Sequence, residues 1–217
     1  MYGPEPLHFA DLRRGGNDGL AVVLHGGSWK ATYNLIHLGH LCITLRDAGI
    51  ATLNVEYRRV GDPGGGWPGS RDDVLLAVEH ARRLSKRIVL VGHSAGGHLA
   101  LLAAAHFRVP VVALAAVSDP ATWENDAVRA FFQGEAEPDG SPLARLPLGV
   151  PHVLVHGTRD DVVPFEQSAR YAEAAAGEAE LITLEGAGHF EPIDPLSPES
   201  RIVSAAVERL LGNHPPW

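Results

Sequence analysis

The stretch Val89-Leu90-Val91-Gly92-His93-Ser94-Ala95-Gly96-Gly97-His98 constrains this chain more than any other. A short β-branched and apolar run ends at a glycine, a serine follows inside G-x-S-x-G, and an Ala/Leu-rich segment continues to Ala105. The run reads as a strand covered on both faces, and the Ala/Leu segment as a buried helix. So tight a turn from strand to helix forces strained dihedrals on Ser94. Glycines flank it because side chains there would collide with the neighbouring strand and helix. The strain lifts the hydroxyl above the sheet, in front of the free N–H groups and positive dipole end of the helix. The plainer alternative, a Gly-rich turn with an incidental serine, is disfavoured by the strand before and the helix after.

The rest of the chain repeats that alternation. Leu20–Leu24, Ala51–Val55, Arg87–Val91, Val111–Val117, His152–His156 and Glu180–Leu184 are short, nearly continuous apolar runs. They predict strands of a mostly parallel sheet. Helical spacing predicts helices at Asn34–Ala48, Ser70–Leu84, Ala95–Ala105, Phe165–Ala176 and Pro198–Leu211. Ser70 opens the second of these, with Asp72 and Asp73 in its first turn, where they suit the helix dipole. The expected architecture is α/β: one domain over 1–217, a mostly parallel sheet with helices on both faces and right-handed crossovers. The segment before Leu20 leaves room for one short strand or hairpin. Gly61–Gly69 reads as a Gly/Pro loop. Ser118–Gly149 reads as a short cap-like insertion over one end of the sheet, with a short helix near Asp126–Phe132.

Composition removes several alternatives. With 217 residues, 45% apolar and 20% charged, the chain can bury a core without disulfides and does not fit disorder. Its one cysteine, Cys42, forms no intrachain disulfide. A net charge of −8 opposes a nucleic-acid partner. No apolar run is long enough to span a bilayer, and the start lacks a signal-peptide pattern, so the expected location is cytoplasmic, as a monomer or homodimer.

A serine hydroxyl becomes a nucleophile when a base takes its proton and a third group orients the base. His189, in Gly186-Ala187-Gly188-His189-Phe190, follows the last predicted strand, where open α/β sheets place their ligands. Asp160 and Asp161, in His156-Gly157-Thr158-Arg159-Asp160-Asp161, follow the strand before it, and both remain candidates for the acid. His25-Gly26-Gly27-Ser28-Trp29 follows the first predicted strand and offers backbone N–H groups to a developing oxyanion; the N–H of Ala95 is the second source. Trp29, Trp67 and Trp123 lie in segments expected near the site mouth, where they either line a substrate pocket or simply pack. Trp217, at the end of the chain, is given no role. Arg58 and Arg59 read equally as ion-pair partners or as binders of an acidic substrate group. There is no HExxH and no Cys/His cluster, and His37 and His40 read as exposed helix histidines, so no metal is expected.

These motifs together resemble those of small bacterial α/β-hydrolases of the esterase/lipase and arylformamidase (kynurenine formamidase)-like group. The shared elements are HGGSW at 25–29, NVEYR at 54–58, GHSAGGHLA at 92–100, HGTRDDVVP at 156–164 and GAGHF at 186–190. The resemblance implies the α/β-hydrolase fold with a minimal cap. It implies Ser94, Asp160 and His189 as catalytic residues, with Gly27, Ser28 and Ala95 as oxyanion donors. It implies no cofactor and a small-molecule ester or amide substrate. The function it points to is cleavage of small carboxylic esters through an acyl-serine, an activity of the carboxylesterase type. The alternative within the class is an arylformamidase acting on N-formylkynurenine. The alternative outside it is a non-catalytic hydrolase-like binding protein, which the presence of all three competent residues disfavours.

Overall fold

Seven strands form one sheet in the order β1-β3-β2-β4-β5-β6-β7 in the computed structural model, which describes residues 1–16, 18–123 and 125–212. Trp217 lies outside the described residues. The strands are β1 (Ala10–Arg13), β2 (Gly19–Leu24), β3 (Ala51–Val55), β4 (Arg87–His93), β5 (Val111–Leu114), β6 (His152–Gly157) and β7 (Ala179–Leu184). All neighbours are parallel except β1, which pairs antiparallel with β3 and fills the room left before Leu20.

Every residue of β2 and β5 is buried, because alternate side chains feed two different cores. Leu20, Val22, Leu24, Leu53, Val55 and Leu90 enter one cluster with α2 (Gly69–Leu84), α3 (Ala95–Phe107) and α5 (Glu166–Ala174). Ala21, Val23, Val89, Val91, Val112 and Leu114 enter the other, against α1 (Gly39–Asp47) and α6 (Glu199–Gly212). The continuous apolar runs in the sequence are thus the consequence of helices on both faces. No helix among the described residues is long and apolar enough to cross a membrane.

Several local expectations change. The helix expected over Asn34–Ala48 is two elements. A 3-10 turn, Leu35–Leu38, is capped by the Asn34 side chain, which accepts from the Ile36 amide at 3.0 Å, and α1 begins only at Gly39. β5 stops at Leu114 because Ala115 turns to φ 45°. Ser70 does not cap α2; its hydroxyl donates to the Arg58 carbonyl. Asp73 is no mere companion of the helix dipole. It is buried, takes a bidentate pair of bonds from Arg58, and lies 2.8 Å from Nε2 of His8. Arg59 pairs with Glu56 and Asp62, so both arginines are ion-pair residues of the fold.

The insertion contains α4 (Asp126–Phe132) and 3-10 turns at Pro120–Thr122, Pro138–Gly140 and Leu143–Arg145. It is tied down by buried rings. Phe131 stacks on Trp29 at 4.7 Å, and Phe132 meets Trp67 at 5.4 Å.

Candidate active site

Ser94 stands between β4 and α3 with φ 56° and ψ −119°, a region costing about 1–3 kcal/mol for a side-chain-bearing residue. The glycines around it are fixed by space. A Cβ on Gly96 would lie 2.1 Å from the Leu24 carbonyl oxygen and 2.3 Å from that of His25, backbone atoms that cannot swing away. One on Gly92 would lie 2.3 Å from the Gly96 oxygen. The loop after β2 leans on the same turn, since a Cβ on Gly26 would stand 3.1 Å from Cβ of Ser94.

That loop carries three consecutive positive φ values: Gly27 107°, Ser28 54° and Trp29 56°. It is held from both ends. The Trp29 ring is buried against Phe131, and the Trp29 carbonyl accepts from the Val60 amide at 2.7 Å. Underneath, His25 Nε2 lies 3.0 Å from Glu56 Oε1, and the Tyr57 hydroxyl donates to the His25 carbonyl at 2.6 Å. Burial alone would raise the Glu56 carboxyl. His25, the Leu35 amide and Arg59 outweigh burial and hold it below the usual carboxylate range. Among the described residues the amides of Gly27, Ser28 and Ala95 donate to no protein acceptor, which leaves them available to a ligand.

Asp160 and His189 meet. His189 Nδ1–H donates to Oδ2 of Asp160 at 2.7 Å. Asp161 is exposed and makes no such bond. The Asp160 side chain is fully buried, and Oδ1 accepts from the amides of Val162 (2.9 Å) and Val163 (2.8 Å). A second imidazole shares it. His156 Nε2 faces Asp160 Oδ2 at 3.1 Å and the Val163 carbonyl at 3.0 Å, both acceptors, so Nε2 carries the hydrogen. The Ser168 hydroxyl then donates to His156 Nδ1 at 2.7 Å. Burial would raise the Asp160 carboxyl; the bonds from His156 and His189, with the backbone amide of Val163, hold it well below the usual range. No hydrogen bond joins Ser94 to His189 among the described residues. Such bonds are often long before substrate binds.

The sequence did not single out His156 for its bond to Asp160, and behind the pair packs His93. His93 Nε2–H donates to the backbone carbonyl of His189 at 3.0 Å, and the two rings stand 4.6 Å apart. His37 is half-buried, not exposed, with its ring 5.8 Å from that of His93. The signal for His156 was its place near the carboxyl end of β6, which a single sequence does not separate from packing. Trp29 and Trp67 are buried in the ring cluster under the insertion, which is the packing reading. Trp123 borders a cavity of about 640 Å³ with Pro120, Asn125, Val128 and Arg129. No group of His, Cys, Asp or Glu among the described residues is arranged to hold a metal ion.

Burial pushes His93 down to about 3 and His98 down to about 4. Both stay neutral in the fold and take up protons on unfolding below about pH 6.5. The unfolded state binds more protons there, so stability falls as pH drops from about 6.5 toward those values. The melting temperature is expected to fall steadily from pH 7 to 4.5. His98→Gln, which keeps a donor for the Gly140 carbonyl but does not titrate, is expected to show a shallower fall.

The fold and this cluster define a class, and the sequence comparison agrees. Residues 21–148 match the alpha/beta hydrolase family, more than half of the chain, and the protein belongs to that family. Esterase LipC of Mycobacterium tuberculosis is 26% identical over 242 aligned positions, covering 89% of this chain and 60% of LipC. The chain thus spans about 60% of the length of that curated relative. Among solved structures, a bifunctional GH43-CE protein of Bacteroides eggerthii superposes with a TM-score of 0.81 at 21% identity, over 97% of this chain and 37% of that one. The thermophilic esterase Est2 of Thermogutta terrifontis gives 0.74 at 20%, over 94% and 85%. The esterase of Pyrobaculum calidifontis gives 0.74 at 19%, over 91% and 78%. At these identities the structures speak for the fold.

Proposed function

We propose that this protein is a serine hydrolase that cleaves small carboxylic esters through an acyl-Ser94 intermediate. The observation that carries the reading is the buried Asp160–His189 pair, whose imidazole packs on His93, the residue that precedes a serine held at φ 56°. The likeness to LipC, an esterase, supports the ester as substrate class.

In the proposed cycle His189 takes the proton of Ser94 as the hydroxyl attacks the carbonyl carbon. Asp160 fixes the tautomer by accepting Nδ1–H, which leaves Nε2 free to act as base, and its charge stabilises the imidazolium. The oxyanion is met by the amide of Ala95 and those of Gly27 and Ser28, each donor worth about 3 kcal/mol. His189 returns the proton to the leaving alcohol, and water then releases the acid with His189 again as base. The cycle calls on no cofactor.

The insertion is small and filled by its own phenylalanines, which favours short acyl chains. The test is a panel of p-nitrophenyl acetate, butyrate and decanoate beside N-formylkynurenine. Faster turnover of the acetyl and butyryl esters than of the decanoyl ester is expected. Turnover of the formamide alone would move the protein to the arylformamidases. Turnover of none would favour a binding protein on a hydrolase fold.

A further inference from the structure

Two of the ten large apolar side chains exposed among the described residues, Tyr33 and Phe190, stand against the candidate site, one on the loop at Gly27 and one on His189. Scattered exposed apolar residues need no explanation, whereas a group at one site does. Tyr33 and Phe190 are about half exposed, and a line of rings connects them. Tyr33 lies 6.1 Å from His37 at 82°, His37 lies 6.3 Å from Phe190 at 67°, and Phe190 lies 5.0 Å from His189 at 84°. His93 backs the line, 5.9 Å from Phe190. At the other end Tyr33 packs on the oxyanion loop. A Cβ on Gly27 would lie 2.3 Å from that of Tyr33. The wall therefore runs from the candidate oxyanion donors to the candidate base.

We propose that Tyr33 and Phe190 form the subsite for the leaving group and that the preferred substrates are esters of aromatic alcohols. The inference rests on the serine-hydrolase reading. In acylation the bond from carbonyl carbon to alcohol oxygen breaks as the bond to Ser94 Oγ forms. The Ser94 proton passes through His189 to the departing oxygen. The alcohol must therefore lie against the His189 ring, and whatever it carries meets Phe190. Edge-to-face and offset packing at 4.5–7 Å is the arrangement aromatic groups prefer, and the wall's rings already stand at such spacings. A methyl or ethyl group gains little there.

The test compares kcat/KM for phenyl acetate and ethyl acetate. Both leave the same acetyl group on Ser94, so their ratio reports acylation and the leaving group alone. Phe190→Ala is expected to lower the phenyl-to-ethyl ratio by about tenfold, and Tyr33→Ala by less. Phe190→Tyr is expected to restore most of it. Leu84→Ala, which removes an equally exposed side chain at the far end of α2, is expected to leave the ratio unchanged. An unchanged ratio in both wall variants, or equal loss on both esters, overturns the inference. So does a dimer that dissociates in Phe190→Ala with the ratio intact, which would make the wall an interface between copies. Fluorophosphonate labelling keeps the two readings apart: an enzyme labelled on Ser94 with no change in ratio loses the subsite only, whereas an unlabelled one loses the serine-hydrolase reading as well.

Discussion

Ser94→Ala is expected to lower kcat/KM for p-nitrophenyl acetate by at least about 10⁴-fold, because acyl transfer then has no nucleophile and only binding and oxyanion donors remain. The fold should barely notice. The Ser94 hydroxyl makes no hydrogen bond among the described residues, so alanine breaks none. Alanine also inherits the same φ of 56°, so the backbone strain is present in both proteins. A stability change under about 1 kcal/mol is expected by urea unfolding, small beside the loss in rate. That separation matters, because many other changes in this turn would unfold it. The glycines at 92 and 96 have no room for a methyl group, and their substitution would confuse loss of chemistry with loss of structure.

Asp160→Asn is expected to cost about 10⁴-fold in kcat. The carboxylate accepts from four N–H groups: His189 and His156 on Oδ2, and the Val162 and Val163 amides on Oδ1. An asparagine that keeps its oxygen toward the two amides turns its NH₂ toward two imidazole N–H groups. His189 then does best by moving its hydrogen to Nε2, and the nitrogen meant to act as base becomes a donor. The pH response separates the two proteins as well. The Asp160 carboxyl sits below its ordinary value in the fold, so its contribution to stability is complete above about pH 4 and drains away as pH falls below that. Urea midpoints measured from pH 5 downward should fall more steeply for the wild type than for Asp160→Asn. Equal slopes would mean that the carboxylate is not held by these bonds.

The parts of the fold visible in the sequence are those set by local periodicity. Six of the seven strands appear as apolar runs; the inner ones do so because they are covered on both faces and alternate residues feed two cores, whereas the edge strand β7 buries only Leu184 fully. Ser94, Asp160 and His189 stood out as candidates because each lies in the segment that follows a strand, and the ends of parallel strands share one edge of the sheet. Long-range pairing was not visible. Nothing local says that Asp73 belongs to Arg58 and His8, so its place in the first turn of α2 suggested a dipole role. Nor does the sequence show that His156, twelve residues before Ser168, shares the Asp160 carboxylate with His189. His37 read as a surface residue because the predicted helix was continuous. The break at Leu38 and Gly39 sets it against His93 and Phe190. The tryptophans show the converse. Their loops were placed near the site, but Trp29 and Trp67 anchor it from below, and the exposed rings beside it are Tyr33 and Phe190.

The proposed nucleophile is Ser94. Reaction with a fluorophosphonate at neutral pH, followed by mass spectrometry of the digested protein, tests it directly. One adduct per chain is expected, on the peptide containing Ser94, and none in Ser94→Ala. An intact hydrolytic activity in Ser94→Ala, or an adduct that forms elsewhere while Ser94 stays free, would contradict it.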